Sequence, residues 1–222
     1  MIDGSTSGEP AAPGSAFATL CSNMSQGLHA AAQPLSILRA SLGGGLADRL
    51  NIEELRELTA SSAVEVERVC RIFSLLQHLL SAESTKPLLT ATPILPLLAD
   101  ATEGVIRMFE EGGMSIGTEV AEACPLALIN GTKTLQALSC ILLAAYAVSR
   151  AGDTIELISS SSPDTVQVIV RNLDSEVDAV AAEVRLSMAL AEANIRCQRG
   201  ILTWIPRPFS AQIEFQTAPS AR

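Results

Sequence analysis

Aromatic side chains are scarce: one Trp, one Tyr and five Phe make up 3% of the 222 residues. That leaves few platforms on which single-stranded bases could stack. Basic residues are in deficit as well, 15 Lys and Arg against 24 Asp and Glu, for a formal charge of −9. Such a balance repels phosphate backbones unless a basic patch is well segregated, so nucleic acid is not an expected partner. The two histidines lie far apart in sequence, and no zinc site assembles by motif. Five cysteines (Cys21, Cys70, Cys124, Cys140 and Cys197) show no CxxC and no regular spacing. Odd in number and set mostly among apolar residues, they read as small buried hydrophobes in a reducing cytoplasm. No stretch is long enough to span a bilayer: the longest apolar run, residues 137–148, is too short and contains Ser139. Residues 1–15 carry Asp3 and Glu9 and lack a basic n-region, so they read as a flexible Gly/Ser/Pro/Ala arm rather than a signal peptide. The expectation is a cytoplasmic protein that neither enters nor crosses a membrane.

What the chain does have is apolar material. A content of 48% hydrophobic and 18% charged residues excludes disorder as the main state and supplies a core of Leu, Ile, Val and Ala. Its arrangement differs between the two parts of the chain. Between residues 17 and 42 apolar side chains recur at alternating steps of four and three: Phe17, Cys21, Met24, Leu28, Ala31, Leu35, Leu38 and Leu42. This is a heptad seam, the mark of a helix packed lengthwise against others. Gly43, Gly44 and Gly45 stop it. A second seam follows with Ile52, Leu55, Thr59, Ser62, Val66, Val69, Phe73, Leu76 and Leu80, and Asn51 is placed as its N-cap. The two helices form an antiparallel hairpin over residues 16–84. One hairpin cannot bury both apolar faces, whereas two from two subunits can, so a homodimer with an intermolecular four-helix bundle is expected.

After Lys86 and Pro87 the texture changes. Residues 94–111, 132–150 and 177–197 read as helices. Residues 114–120, 126–129, 154–159, 166–172, 200–205 and 211–216 read as strands, with turns at Gly152-Asp153, at residues 160–164 and at Pro206 and Pro208. The fold class is therefore α+β: a two-helix hairpin forming a dimeric bundle, then a two-layer α/β sandwich over residues 88–217.

His29 is the candidate for chemistry. It stands one step off the seam position Leu28, on the solvent-facing flank of the bundle. Uncharged polar side chains share its face: Ser22, Ser25, Gln26, Gln33 and Ser36. Pro34 follows five residues on, removing a backbone hydrogen bond from mid-helix and depriving the Ala30 carbonyl of its donor, so a kink is expected there. On the residues alone, a solvated surface histidine and a functional one both remain open. His78 is also off-seam but has neither proline nor polar surroundings, and reads as a solvated side chain.

The stretch His29-Ala30-Ala31-Ala32-Gln33-Pro34-Leu35 resembles the phosphoacceptor box of bacterial sensor histidine kinases. In that family the hairpin is the dimerisation and phosphotransfer domain. Residues 135–146 followed by Gly152-Asp153-Thr154-Ile155-Glu156-Leu157 resemble the helix, loop and strand of its first nucleotide box. Residues 186–199 followed by Gly200-Ile201-Leu202-Thr203-Trp204 resemble its last helix and Gly-x-hydrophobic strand. The likeness runs over about residues 17–217 and implies an ATPase-like second domain of the Bergerat type.

The departures from the family pattern concern catalysis. The asparagine that helps hold magnesium in the kinases falls near Ala144, and an alanine cannot ligate a cation that wants oxygen. Where an Asp-x-Gly-x-Gly adenine box should follow the 166–170 strand, the chain reads Asn172-Leu173-Asp174-Ser175-Glu176, and the glycine-rich ATP lid is shortened away. Phosphoryl transfer from ATP needs a metal and a positioned triphosphate, and both supports are missing. The acidic residue after the histidine, thought to assist as a base, is Ala30 here. Transfer between a phosphohistidine and a receiver aspartate survives these losses, because the receiver brings its own magnesium.

The resemblance so amended implies a histidine phosphotransferase in a two-component phosphorelay, without autophosphorylation from ATP and with no cofactor of its own. His29 would be the phosphoacceptor, and Gln33 occupies the family position that orients water for dephosphorylating the partner. Response-regulator receiver domains would dock on Ser22, Ser25, Gln26, Pro34, Ser36 and Arg39. The alternatives are a receiver-binding scaffold without chemistry, and an active sensor kinase, which would require nucleotide binding.

Overall fold

Asn51 shows how closely the helical part follows its sequence. Its Oδ1 accepts from the backbone N–H of Glu53 (2.9 Å) and Glu54 (3.0 Å), while its own N–H donates to Glu54 Oε2 at 2.8 Å. This is a reciprocal capping box, and α2 (Ile52–Ser84) starts from it. The other long helix, α1 (Pro13–Gly43), runs unbroken through Pro34. The computed structural model describes residues 13–43, 51–84, 86–121, 124–175 and 181–219. Most of the amino-terminal arm, Gly44 and Gly45 of the glycine break, Glu176 and the expected start of the last helix at 177–180 lie outside the described residues, as do the side chains of Phe17 and Leu42.

Contacts divide the chain into two units that meet at Val69 and Cys70, inside α2. The sequence pattern puts the division after residue 84. The last turns of α2 instead belong with the second unit, where Glu83 is ion-paired with Arg196.

Within one chain the hairpin buries only part of the expected seam. On α1 the buried residues among those described are Gly27, Ala30, Ala31 and Pro34, a ridge of small side chains. The seam residues Leu28 and Leu35 are 52% and 48% exposed. A heptad seam combines two sets of positions, each repeating every seven residues. On α1 the set Met24, Ala31 and Leu38 is buried or half-buried, and the set Cys21, Leu28 and Leu35 is exposed. On α2 one set again lies open, Ile52, Thr59, Val66, Phe73 and Leu80 all being exposed, while in the other set Leu55 is exposed and Ser62, Val69 and Leu76 are partly or fully covered. The apolar pattern marks both flanks of each helix, and a single chain covers only one.

The second unit places three helices, α3 (Ile94–Glu111), α4 (Gly131–Ala147) and α5 (Ala182–Arg196), against a five-stranded sheet. The sheet strands are β2 (Ser115–Val120), β4 (Thr154–Ser161), β5 (Thr165–Asn172), β6 (Ile201–Pro206) and β7 (Phe209–Gln216), in the order β2-β4-β5-β7-β6. β2 and β4 are parallel and the other neighbours antiparallel. Alternation with period two builds the inner face: Ile155 and Leu157 on β4, Val166, Val168 and Val170 on β5, and Phe209, Ala211, Ile213 and Phe215 on β7 are all buried. Contacts of α3 with β2, α4 with β5 and α5 with β6 complete the two layers. A small second sheet joins β1 (Thr90–Thr92) to β3 (Ala127–Ile129), antiparallel. β1 escaped the sequence reading because three residues, two of them exposed, carry no usable periodicity.

A buried polar network anchors the ends of two helices. Asn130 caps α4, its Oδ1 accepting from Lys133 N–H at 3.1 Å. The Asn130 backbone N–H and the Thr134 hydroxyl donate to Gln198 Oε1, at 2.6 and 3.2 Å, and Gln198 Nε2 donates to the Asn194 carbonyl at 2.7 Å. Burial of these groups is tolerable because each has found a partner.

Candidate functional site

A helix advances 100° per residue, so positions 22, 25, 26, 29, 33, 36 and 39 of α1 form one stripe. The structure leaves His29, Ser22, Ser25, Gln26, Gln33, Ser36 and Arg39 exposed, and this stripe lies across the helix from the buried ridge of Gly27, Ala30, Ala31 and Pro34. Local bonds order part of it: Gln26 Nε2 donates to Ser22 Oγ at 3.3 Å, and the Ser36 hydroxyl donates to the Ala32 carbonyl at 2.8 Å. Ser36 thus sits back on its own helix within one turn of the proline. Pro34 itself is a correction to the expected docking set. It is buried, so it shapes the helix and does not meet a docking protein. Arg39, ten residues beyond His29 and about 15 Å along the axis, supplies the stripe's one formal charge. His78 is exposed on α2, as a solvated side chain should be.

In the second unit the structure places the residues that the sequence resemblance assigns to the nucleotide boxes. Ala144, where the resemblance puts the kinases' magnesium-holding asparagine, is buried within α4. Asn172, at the end of β5, is fully buried, and its donors are spent inside the protein. Its Nδ2 donates to Ser149 Oγ at 2.7 Å and to Asp153 Oδ2 at 2.8 Å, while its Oδ1 accepts from Asp174 N–H at 3.0 Å. An asparagine amide has two N–H donors, and both are in use. Asp153 also accepts from the Arg150 backbone N–H at 3.0 Å, which closes the turn around Gly152. Ser175 ties the same corner to the last hairpin, donating to the Asn172 carbonyl (3.2 Å) and accepting from Phe209 N–H at 2.6 Å. Sequence reasoning missed this Ser149–Asn172–Asp153 cluster. The only trace of it in the sequence was a polar residue ending the apolar inward face, Val166, Val168 and Val170, of an alternating strand.

Nine residues separate Asn172, the last of β5, from Ala182, the first of α5, which bounds any lid at that place. Among the described residues no three His, Cys, Asp or Glu side chains gather into a group able to hold a metal ion. All five cysteines are free. Burial pushes the Cys140 thiol, on α4, up to about 12 from 9.0, and raises those of Cys124 and Cys197 as well. No helix among the described residues is long and apolar enough to cross a membrane.

A scan against protein-family models matches none, and a search of curated proteins returns no match. Solved structures do match. The histidine kinase AdeS of Acinetobacter baumannii superposes with a TM-score of 0.64 at 13% identity, over 85% of this chain and 96% of that one. The histidine kinase ThkA, solved in complex with the response regulator protein TrrA, gives a TM-score of 0.73 at 13% identity, over 94% of this chain and 65% of that one. Full-length ShkA in complex with AMPPNP gives 0.57 at 17% identity, over 88% and 47%. At such identities the likeness is one of fold, which function does not automatically follow. The fold is histidine kinase-like, with its helical hairpin and five-stranded α/β unit, as the sequence resemblance led one to expect.

Proposed function

We propose that this chain is a histidine phosphotransferase of a two-component phosphorelay, passing a phosphoryl group between His29 and the aspartates of response-regulator receiver domains. The observation that carries the reading is the exposure of His29 midway along α1, inside a polar stripe whose one charge is Arg39 and which has no carboxylate. In a chain of net charge −9 such a stripe is where an acidic receiver pocket meets no repulsion. The fold adds support, since ThkA, a structure of the same fold, is known in complex with a response regulator protein.

The transfer is a displacement at phosphorus. A neutral imidazole nitrogen of His29 attacks the phosphorus of an aspartyl phosphate, an N–P bond forms, and the P–O bond breaks with its electron pair leaving on the aspartate. The phosphoimidazolium then loses its remaining ring proton to solvent. Transfer to a second receiver runs the same steps backwards. Charge neutralisation during the step comes from the receiver's magnesium, so the chain needs no cofactor of its own. Gln33, exposed one turn beyond His29, is placed to hydrogen-bond a docked receiver or its water. Ser22, Ser25, Gln26, Ser36 and Arg39 complete the docking stripe.

Two further features belong to the reading. The second unit serves as a fold retained without ATP chemistry, supported by the buried Ala144 and the committed donors of Asn172. The chain works as a homodimer, each copy covering the open heptad set of the other: Cys21, Leu28 and Leu35 on α1, and Ile52, Thr59, Val66, Phe73 and Leu80 on α2. Free cysteines fit a reducing cytoplasm.

The test uses the full chain and receiver domains charged with labelled acetyl phosphate. Label should pass to the wild-type protein and not to His29→Ala. No label on the wild type, or equal label on both, overturns the proposal, and receiver binding with no label would point to a scaffold. A calorimetric titration with ATP and magnesium should give no heat of binding; saturable binding would overturn the pseudo-ATPase part.

A further inference from the structure

At one end of the second unit three residues sit where local physics disfavours them. Leu88, shortly after α2, is 79% exposed, more than any other large apolar side chain among the described residues. Lys133 stands in the first turn of α4, where the helix dipole is positive and disfavours a cation, and no acidic residue in that turn offsets it. Arg199 has φ 63° and closes α5 as a Schellman cap. Its N–H donates to the Arg196 carbonyl at 3.0 Å and Gly200 N–H to the Ile195 carbonyl at 3.1 Å, which puts Arg199 in the left-handed place that glycine fills at least cost. Neither cation has an ion-pair partner among the described residues. Local rules are broken in this way at functional sites.

Hydrogen bonds gather the three segments. The Leu88 carbonyl accepts from Asn130 Nδ2 at 3.1 Å, and Asn130 caps α4 three residues before Lys133. The Asn130 N–H donates to Gln198 Oε1, one residue before Arg199, at 2.6 Å. Lys86, exposed two residues before Leu88, adds a third cation without an ion-pair partner among the described residues. The carboxylates nearby are engaged: Glu83 and Glu192 both pair with Arg196, while Glu214 accepts from Gln167 and Gln212 at 3.1 and 2.8 Å on the far face of the sheet. Residues 86–99, 124–152 and 193–213, the stretches that meet here, contain no acidic residue. We propose that this end of the second unit is a docking surface for an acidic segment of another protein, one that sets Asp or Glu side chains around an apolar residue seated on Leu88. In a chain of net charge −9, three unpaired cations around an apolar knob are a local reversal of sign. Nucleic acid would satisfy the cations and leave Leu88 unmatched. A second copy presenting the same surface would set like charges face to face. This surface is independent of the phosphotransfer reading.

The experiment selects a random twelve-residue peptide library on the full-length protein, with counter-selection on the Lys133→Gln/Arg199→Gly variant. Both substitutions relieve a local penalty, so the variant should unfold at a urea concentration no lower than the wild type's. The expected yield is peptides with several Asp or Glu around a Leu, Ile or Phe. Their affinity should fall about tenfold or more on the paired variant and on Leu88→Ser, and weaken as salt rises. It should be unchanged on Arg107→Glu, at the far end of α3. Binding lost while stability is kept or gained is a pattern that a structural role for Lys133 and Arg199 does not produce. No enrichment over the counter-selected variant, peptides without acidic bias, a paired variant less stable than the wild type, duplex DNA bound through the same residues, or self-association lost in the paired variant would each overturn the proposal.

Discussion

Phe73 offers the sharpest check on how the helices are used. It lies in the open heptad set of α2, seven residues from Val66 and from Leu80, and is 43% exposed in the single chain. Full burial of a phenylalanine is worth up to about 3 kcal/mol, so covering its open part gains about 1 kcal/mol per copy and about 2 per dimer. Phe73→Glu forfeits that gain and forces two carboxylates into the seam, at an effective desolvation cost of several kcal/mol each. The sum exceeds about 4 kcal/mol, which is about a thousandfold in dissociation constant. Light scattering across a dilution series should therefore show a dimer for the wild type and a monomer for Phe73→Glu. His78→Glu is the control, since it puts the same charge on an exposed position about 140° around the helix and should leave the dimer intact. A monomeric wild type, or a Phe73→Glu variant as dimeric as the parent, would refute the reasoning.

Other expectations concern the second unit. Gln198→Ala should lower stability by about 2–3 kcal/mol in urea unfolding, because the Asn130 N–H loses a 2.6 Å acceptor in a buried setting. Asn172→Asp should not confer nucleotide binding in calorimetry, since Ala144 still lacks a ligating oxygen; it should also destabilise the fold by setting a second carboxylate beside Asp153. Cys140, whose thiol burial pushes up to about 12, should resist a thiol reagent at neutral pH while the exposed Cys21 and Cys70 react. Its folded value lies above the ordinary 9.0, so its contribution to stability is complete below pH 9 and is lost as the pH rises towards 12. Cys140→Ala should flatten that alkaline loss in stability measured against pH.

Much of the fold was legible because it rests on local pattern. The bounds of α3, residues 94–111, follow directly from its apolar spacing and agree with the structure. The capping role of Asn51 follows from the glutamate three residues on. The β4–β5 hairpin was expected from alternation around the Ser/Pro/Asp turn, and both strands run slightly longer than their patterns because antiparallel pairing carries the ladder up to the turn. The candidate histidine was legible for the same reason, since its exposure depends only on its position around one helix.

What local pattern did not reveal depended on partners far away in the chain. The α1 seam was expected to be buried between two subunits, and within one chain only the phase of Ala31 is covered. Periodicity marks a face as apolar without saying which flank its own chain will fill. Pro34 was expected on the docking surface, and its burial follows from the ridge of small residues on either side of it. Asn172 reads in the sequence as a changed adenine box, whereas its hydrogen bonds to Ser149 and Asp153 arise from residues about twenty positions away. The uncharged β6 became an edge only when the strand order put it at the end of the sheet. The sequence by itself determined the helices, most strands and the exposure of His29, because these answer to forces within a few residues. Tertiary structure alone decided which apolar flank stays open, which polar groups are already satisfied and which strand has a free side, because each of those depends on what packs against it.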